Sequence, residues 1–194
     1  MDNTEEICKK YGAKYVNRRG GNFYGDAIRT GFDEAYGKYI VVMDADGSHG
    51  PDDIVRLYDA MRSGKPDLVI GSRYCKGGNT DNNFVLKAMS WILNFTYRVA
   101  FGLKVKDMSD SFRLYKAEQA KRLSLECDNF DIVEEILIKL YLSKKGFTIT
   151  EVPIYFNKRQ GGKSKRDLGK FILSYAHTMN KLLKMCKRAK DKQK

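Results

Sequence analysis

Tyr39-Ile40-Val41-Val42-Met43-Asp44-Ala45-Asp46-Gly47-Ser48-His49-Gly50-Pro51-Asp52-Asp53 is the stretch on which the fold turns. Five apolar residues run unbroken into two aspartates. A short, β-branched run of this kind suits a strand buried on both faces. Such a strand cannot hide a carboxylate, so Asp44 and Asp46 belong where it ends. Gly47, Gly50 and Pro51 force a turn, and Asp52-Asp53 are placed to cap a helix beginning near Ile54. Ligands of open parallel sheets bind at the carboxyl ends of strands, which makes this turn the candidate site. Paired carboxylates suit a hard cation such as Mg²⁺ or Mn²⁺, which also bridges phosphate oxygens. The plainer reading is a pair that only caps and solvates a turn. The buried strand before it and the Gly-Pro turn after it weigh against that.

Outward from this stretch, helix and strand signals alternate. Asp2 to Glu6 give a polar cap and first-turn acids, and Gly12 ends the short helix they start. Ala13 to Asn17 reads as a strand. A helix follows from about Tyr24 to Ala35, and Gly25 and Gly31 lie inside it. Each costs a helix about 1 kcal/mol relative to Ala, so close packing or close approach of a ligand would account for them. After the Asp-rich turn come a helix to about Arg62 and a strand from Asp67 to Gly71. Asn83 to Phe101 is a long aromatic-rich helix ended by Gly102. Its simplest account is burial over much of its circumference; the other is a face for a membrane or a lipid acceptor. Asp107 to Tyr115 is a polar turn leading into a strand. Helices follow near Ala117 to Leu123 and from about Asp131 to Lys145. Phe147 to Phe156 reads as a strand whose Pro153 puts it at a sheet edge. The alternation predicts an α/β sandwich with a largely parallel sheet.

At 194 residues the chain fits one domain with a single core. No apolar run approaches a membrane span, and no signal-peptide core is evident. Cys8, Cys75, Cys127 and Cys186 are scattered and form no CxxC pair. They read as reduced thiols of a cytosolic protein, without zinc or a disulfide framework. Of the net charge of +12, Asn157 to Lys194 carry +11, from thirteen Lys and Arg against Asp167 and Asp191. Basic tails meet nucleic acid or anionic membrane. This one lacks aromatic interleaving and any nucleic-acid motif, so no nucleic acid is expected. A last helix begins near Asp167, with Leu168, Ile172, Tyr175, Met179, Leu182 and Cys186 spaced by three and four. Lys170, Lys181, Lys184, Lys187 and Arg188 lie mostly off that stripe. Such a helix either lies in a membrane interface or packs its stripe on the domain.

Four stretches point the same way: Asp44 to Pro51, Gly71-Ser72-Arg73-Tyr74, Asp107 to Tyr115, and Val152 to Arg159 with Gly162 to Lys165. Together they resemble the inverting family 2 glycosyltransferases of the GT-A fold, specifically the dolichol-phosphate mannosyltransferase group, from residue 2 to about residue 170. The resemblance implies a Rossmann-like GT-A three-layer sandwich with a mostly parallel sheet. A catalytic domain would span residues 1–166, and a basic amphipathic helix and tail residues 167–194. It implies transfer of mannose or another hexose from a nucleotide sugar, GDP-mannose or UDP-hexose, to a polyprenyl phosphate such as dolichyl or undecaprenyl phosphate. The protein would be cytoplasmic and peripheral on the cytosolic face of a membrane.

By the same resemblance, Asp44 and Asp46 hold Mg²⁺ or Mn²⁺ and the diphosphate. Ser48 stands where relatives often carry a further ligand, Gln. Arg73 and Arg159 are implied to bind phosphate and, with Asp46, to be catalytic. Asp107 and Arg113 are implied substrate contacts, and Ser164 and Lys165 share the loop with Arg159. Ser111 replaces a frequent Gly. The family's first strand, with an apolar-Pro-x-Tyr-Asn motif, and its second, ending in Asp-Asp-x-Ser, have no counterpart here. The expectation is a chain without those two strands and with an incomplete base pocket. A phosphate monoester, with its second pKa about 6, is largely a dianion at neutral pH and needs no protein base. Two alternatives stand beside this reading. One is transfer to a glycan hydroxyl, which would need a base, with Asp107 or Asp110 as candidates. The other is an inactive remnant with a binding role only. His49 and His177 read as incidental.

Overall fold

A computed structural model describes residues 3–159 and 168–191. Its centre is a four-stranded sheet of β1 (Tyr39–Val42), β2 (Leu68–Ser72), β4 (Arg113–Lys116) and β5 (Ile149–Pro153), in the order β1-β4-β2-β5. β4 runs antiparallel to both β1 and β2, and β2 runs parallel to β5. Three of the four strands therefore point one way, with β4 reversed between them. A second, two-stranded parallel sheet joins β3 (Asn79–Thr80) to β6 (Tyr155–Phe156). The expected strand from Phe147 to Phe156 is thus divided between two sheets. Pro153, at the break, has no N–H to continue a ladder, and β5 is the edge strand that this proline signals.

Successive side chains of a strand point to opposite faces, and the sheet is covered on both. Ile40, Leu68, Ile70 and Tyr115 face one cluster, built with α2 (Tyr24–Glu34), α5 (Ala117–Lys121), α6 (Ile132–Ser143) and α7 (Leu168–Asp191). Val69, Leu114 and Val152 face the other, against Leu57 and Met61 of α3 (Asp53–Gly64). This is a three-layer α/β sandwich. β2 is buried along its whole length.

Several expectations need correction. β1 is not buried on both faces: only Ile40 is buried, because β1 ends the sheet and no strand among the described residues lies on its outer side. Ala13 to Asn17 forms no strand and is mostly exposed, with no ladder beside it to satisfy its backbone. Asp52 makes no side-chain cap; Asp53 opens α3 and pairs with Arg56.

The largest departure is α4 (Phe84–Phe101), whose buried residues are only Asn94 and Tyr97. Phe84, Val85, Trp91, Ile92, Phe95 and Val99 are exposed. The account of α4 as a helix buried on much of its circumference is overturned. The stripe of α7 has the opposite fate. Tyr175 and Leu182 are buried, and Met179 and Cys186 pack against the same core. Of the two readings of that helix, packing on the domain is the observed one.

Candidate active site

β1 delivers the chain to the turn Asp44–His49, and six side chains shape it. Ser48 is buried and donates both its main-chain N–H, at 3.0 Å, and its hydroxyl to Oδ1 of Asp46. Oδ2 of Asp46 pairs with Nε of Arg159 at 2.6 Å. The Ser48 carbonyl accepts the Asn157 N–H at 2.9 Å, which ties the turn to the segment carrying Arg159. Oδ1 of Asp44 accepts from the Ser111 hydroxyl at 3.2 Å. The Asp44 N–H donates to Nδ1 of His49 at 3.0 Å.

The two carboxylates are driven apart electrostatically. Burial pushes Asp44 above the usual carboxylate range, and the negative charges of Asp110 and Asp46 add to that. Burial also opposes the charge on Asp46, but the two donors of Ser48 and the Arg159 guanidinium outweigh it and hold Asp46 below that range.

Behind the turn lies a buried ionic bracket. Arg73 donates from its main-chain N–H, Nε and Nη2 to the two oxygens of Asp107, at 2.9, 2.7 and 2.7 Å. Its Nε also lies 3.1 Å from Oδ2 of Asp110. Oδ1 of Asp110 is 3.1 Å from Nε2 of His49. Burial would raise the pKa of Asp110, but the charge of Arg73 and the His49 hydrogen bond keep it lowered. Arg113 is fully buried, and its Nε, Nη1 and Nη2 donate to the main-chain carbonyls of Asp110, Val133 and Met108.

These contacts place the side chains expected at the site. Asp44, Asp46, Ser48 and Arg159 are brought together at one surface. Ser48 donates twice to Asp46 and so orients that carboxylate. Arg73 is turned inward onto the carboxylates of Asp107 and Asp110, and so brackets the Asp107–Phe112 turn. Asp107 and Arg113 are both fully buried. Asp107 and Asp110, the candidate bases, are engaged with Arg73. Ser164, Lys165 and the boundary at residue 166 lie outside the described residues.

Three further side chains belong to this neighbourhood. Ser111, at a position where Gly is frequent, bonds Asp44. His49 is buried in the turn. Tyr24 stacks on Phe130 at 4.7 Å, and its hydroxyl is held protonated by burial and by the nearby Asp44 charge. Nothing in the local pattern around Tyr24 marks it.

The donor set fits a divalent cation. Among the described residues no three His, Cys, Asp or Glu side chains converge. Asp44 and Asp46 supply two hard oxygen donors, and an ion such as Mg²⁺ is commonly held by one or two carboxylates plus phosphate and water oxygens.

Comparison with known proteins gives the same picture. The model of glycosyl transferase family 2 matches residues 1–123. The chain is 36% identical over 187 residues to the dolichol-phosphate mannosyltransferase of Pyrococcus furiosus, covering 94% of this chain and 51% of that protein. It is 34% identical over 151 residues to an undecaprenyl-phosphate mannosyltransferase of Micrococcus luteus, covering 77% of this chain and 61% of that protein. It is 35% identical over 146 residues to a polyprenol monophosphomannose synthase of Mycolicibacterium smegmatis, covering 73% and 55%. The chain therefore spans between 51% and 61% of the length of these relatives. Among solved structures, glucosyl-3-phosphoglycerate synthase of Mycobacterium tuberculosis, crystallised with Mn²⁺ and UDP-glucose, superposes with a TM-score of 0.70. That match covers 96% of this chain and 64% of the other at 18% identity, and it establishes the GT-A fold alone.

Proposed function

The chain belongs to glycosyl transferase family 2, and from that premise we propose that it transfers a hexose, mannose by preference, from a nucleotide sugar to a polyprenyl phosphate. What carries the reading is the pairing of Arg159 with Asp46 at the end of β1. It sets a cationic, half-exposed guanidinium beside the carboxylate turn, where a diphosphate and an acceptor phosphate would both be received.

Asp44 and Asp46 would hold a divalent cation, which when bound neutralises the leaving diphosphate. Arg159 suits bidentate contact with phosphate oxygens. In the ligand-free chain its Nε is held by Asp46. Ser48 and Ser111 fix the two carboxylates in place. The acceptor dianion attacks the anomeric carbon from the side opposite the diphosphate. One C–O bond forms as the other breaks, and the configuration inverts. No protein base is required, which agrees with Asp107 and Asp110 both being engaged with Arg73. That engagement disfavours a glycan hydroxyl as acceptor.

No helix among the described residues is long and apolar enough to cross a membrane. Attachment in this reading is peripheral, on the cytosolic face. The exposed aromatic face of α4 enters the interface, and the basic residues of 157–194 meet anionic headgroups.

The test is calorimetry of the chain with Mn²⁺ and GDP-mannose, followed by radiolabelled transfer. Asp46→Asn should remove most Mn²⁺-dependent nucleotide-sugar binding. Label should pass to a prenyl phosphate and not to a glycan. Unchanged affinity in the variant, or transfer to the glycan alone, would refute the assignment.

A further inference from the structure

His49 is 3% exposed, and its ring stacks on Phe112 at 4.8 Å and meets the edge of Phe156 at 5.2 Å. Its two nitrogens face different partners. Nδ1 is 3.0 Å from the main-chain nitrogen of Asp44, and Nε2 is 3.1 Å from Oδ1 of Asp110. A main-chain N–H only donates, so Nδ1 must carry a lone pair. The ring proton is then on Nε2, where it donates to the Asp110 carboxylate. The tautomer is fixed by geometry from both sides. Asp110 is itself anchored, through its other oxygen, to Arg73 at 3.1 Å. The imidazole thus joins the end of β1 to the turn that leads into β4.

We infer that His49 is the positioning residue of the carboxylate turn. The Ser48 donors fix the side chain of Asp46. His49 fixes the peptide of Asp44, closing the loop from residue 44 to residue 49 with one hydrogen bond and bracing it on Asp110. Both carboxylates are thereby aimed before a cation arrives, and the ordering entropy of the turn is lost on folding rather than on binding. The inference rests on the reading of Asp44 and Asp46 as cation ligands. Its first consequence, the tautomer, does not. Ordinary core packing would explain the stacking on Phe112 but would not require a lone pair on Nδ1.

The experiment has two arms, both on the full chain. In the first, ¹⁵N-histidine NMR of the full chain, at a pH where the imidazole is neutral, assigns His49 by loss of its signals in His49→Asn. The neutral ring is expected to carry its proton on Nε2, because Nδ1 accepts from the Asp44 N–H. A neutral ring protonated at Nδ1 overturns the inference whatever the chain binds. In the second, Mn²⁺ affinity is read by electron paramagnetic resonance. His49→Ala should weaken it roughly 10- to 100-fold, as loss of an outer-shell partner does. His49→Asn places an amide oxygen where Nδ1 was and should restore most of the affinity. His49→Gln reaches towards Asp110 instead and should not. Wild-type affinity in the alanine variant overturns the inference. Should that variant fail to fold, equal or better binding by the glutamine variant than by the asparagine variant does so. No Mn²⁺ binding by the wild-type chain, with the Nε2 form present, overturns the metal reading and this role with it.

Discussion

Glu134 is fully buried in α6, and burial pushes its carboxyl from about 4.5 up to about 8, against the opposing pull of the Arg113 charge. It is therefore protonated in the folded chain at neutral pH. The folded state binds this proton more tightly than the unfolded state, so stability falls as pH rises from the unfolded value through the folded one. Glu134→Gln keeps the shape and removes the titration. Between roughly pH 5 and pH 8, wild type should lose a few kcal/mol relative to the glutamine variant. Urea unfolding of both across that range checks it, and parallel curves would contradict it. A second residue-scale contrast lies in α2. A Cβ on Gly25 would stand 2.2 Å from the Cys127 carbonyl oxygen, whereas one on Gly31 meets nothing within 4 Å. Gly25→Ala should cost about 1–3 kcal/mol by overpacking. Gly31→Ala should stabilise by up to about 1 kcal/mol. Melting temperatures of the two variants should move in opposite directions. The sequence marks both glycines as costly for a helix, but the contact that separates them comes from a segment a hundred residues away. The same limit hid Ser111 and the partners of Arg73, Asp107 and Arg113. Asp44, Asp46 and Arg159 were legible because a turn and a short motif place them locally.

Elements divide in the same way. Helix starts and stops follow local rules, and Gly102, in the left-handed conformation, ends α4 where the pattern says it should. Burial is not local. The aromatic run of α4 and the stripe of α7 look alike as patterns, yet α7 is seated on the core and α4 leaves its apolar face open. Trp91 and Phe95 stack with ring centroids 5.5 Å apart while 61% and 45% exposed. Large exposed apolar patches mark interaction surfaces. The double variant Trp91→Ser with Phe95→Ser should bind liposomes at least about tenfold more weakly, with melting unchanged within error. A large loss of stability instead would mean that the face is covered in solution. Nor could the alternation of elements reveal that β4 is reversed. A strand's direction depends on its neighbours, and its sequence reads the same either way.

At the scale of the molecule, charge is the most uneven property: residues 157–194 hold +11 of the total +12. Lys184, Lys187 and Arg188 of α7 are exposed. Each basic residue near an anionic surface contributes about 1 kcal/mol, screened within a Debye length. Replacing these three with Gln should weaken binding to anionic vesicles roughly 100-fold at low salt, with a smaller effect at high salt. Sedimentation assays at two ionic strengths would show it, and equal binding to neutral vesicles would refute it. The placement of β4 has a last consequence, for the order in which the molecule can be made. β1 and β2 share no ladder; each pairs with β4, and Val41 must wait for Leu114. As the chain leaves the ribosome, β1 and β2 emerge with an empty lane between them, and the Asp44 turn has neither Ser111 nor Asp110 to lean on. Closing so long a loop is slow. The carboxylate turn, early in the sequence, is therefore among the last parts of the protein to acquire its shape.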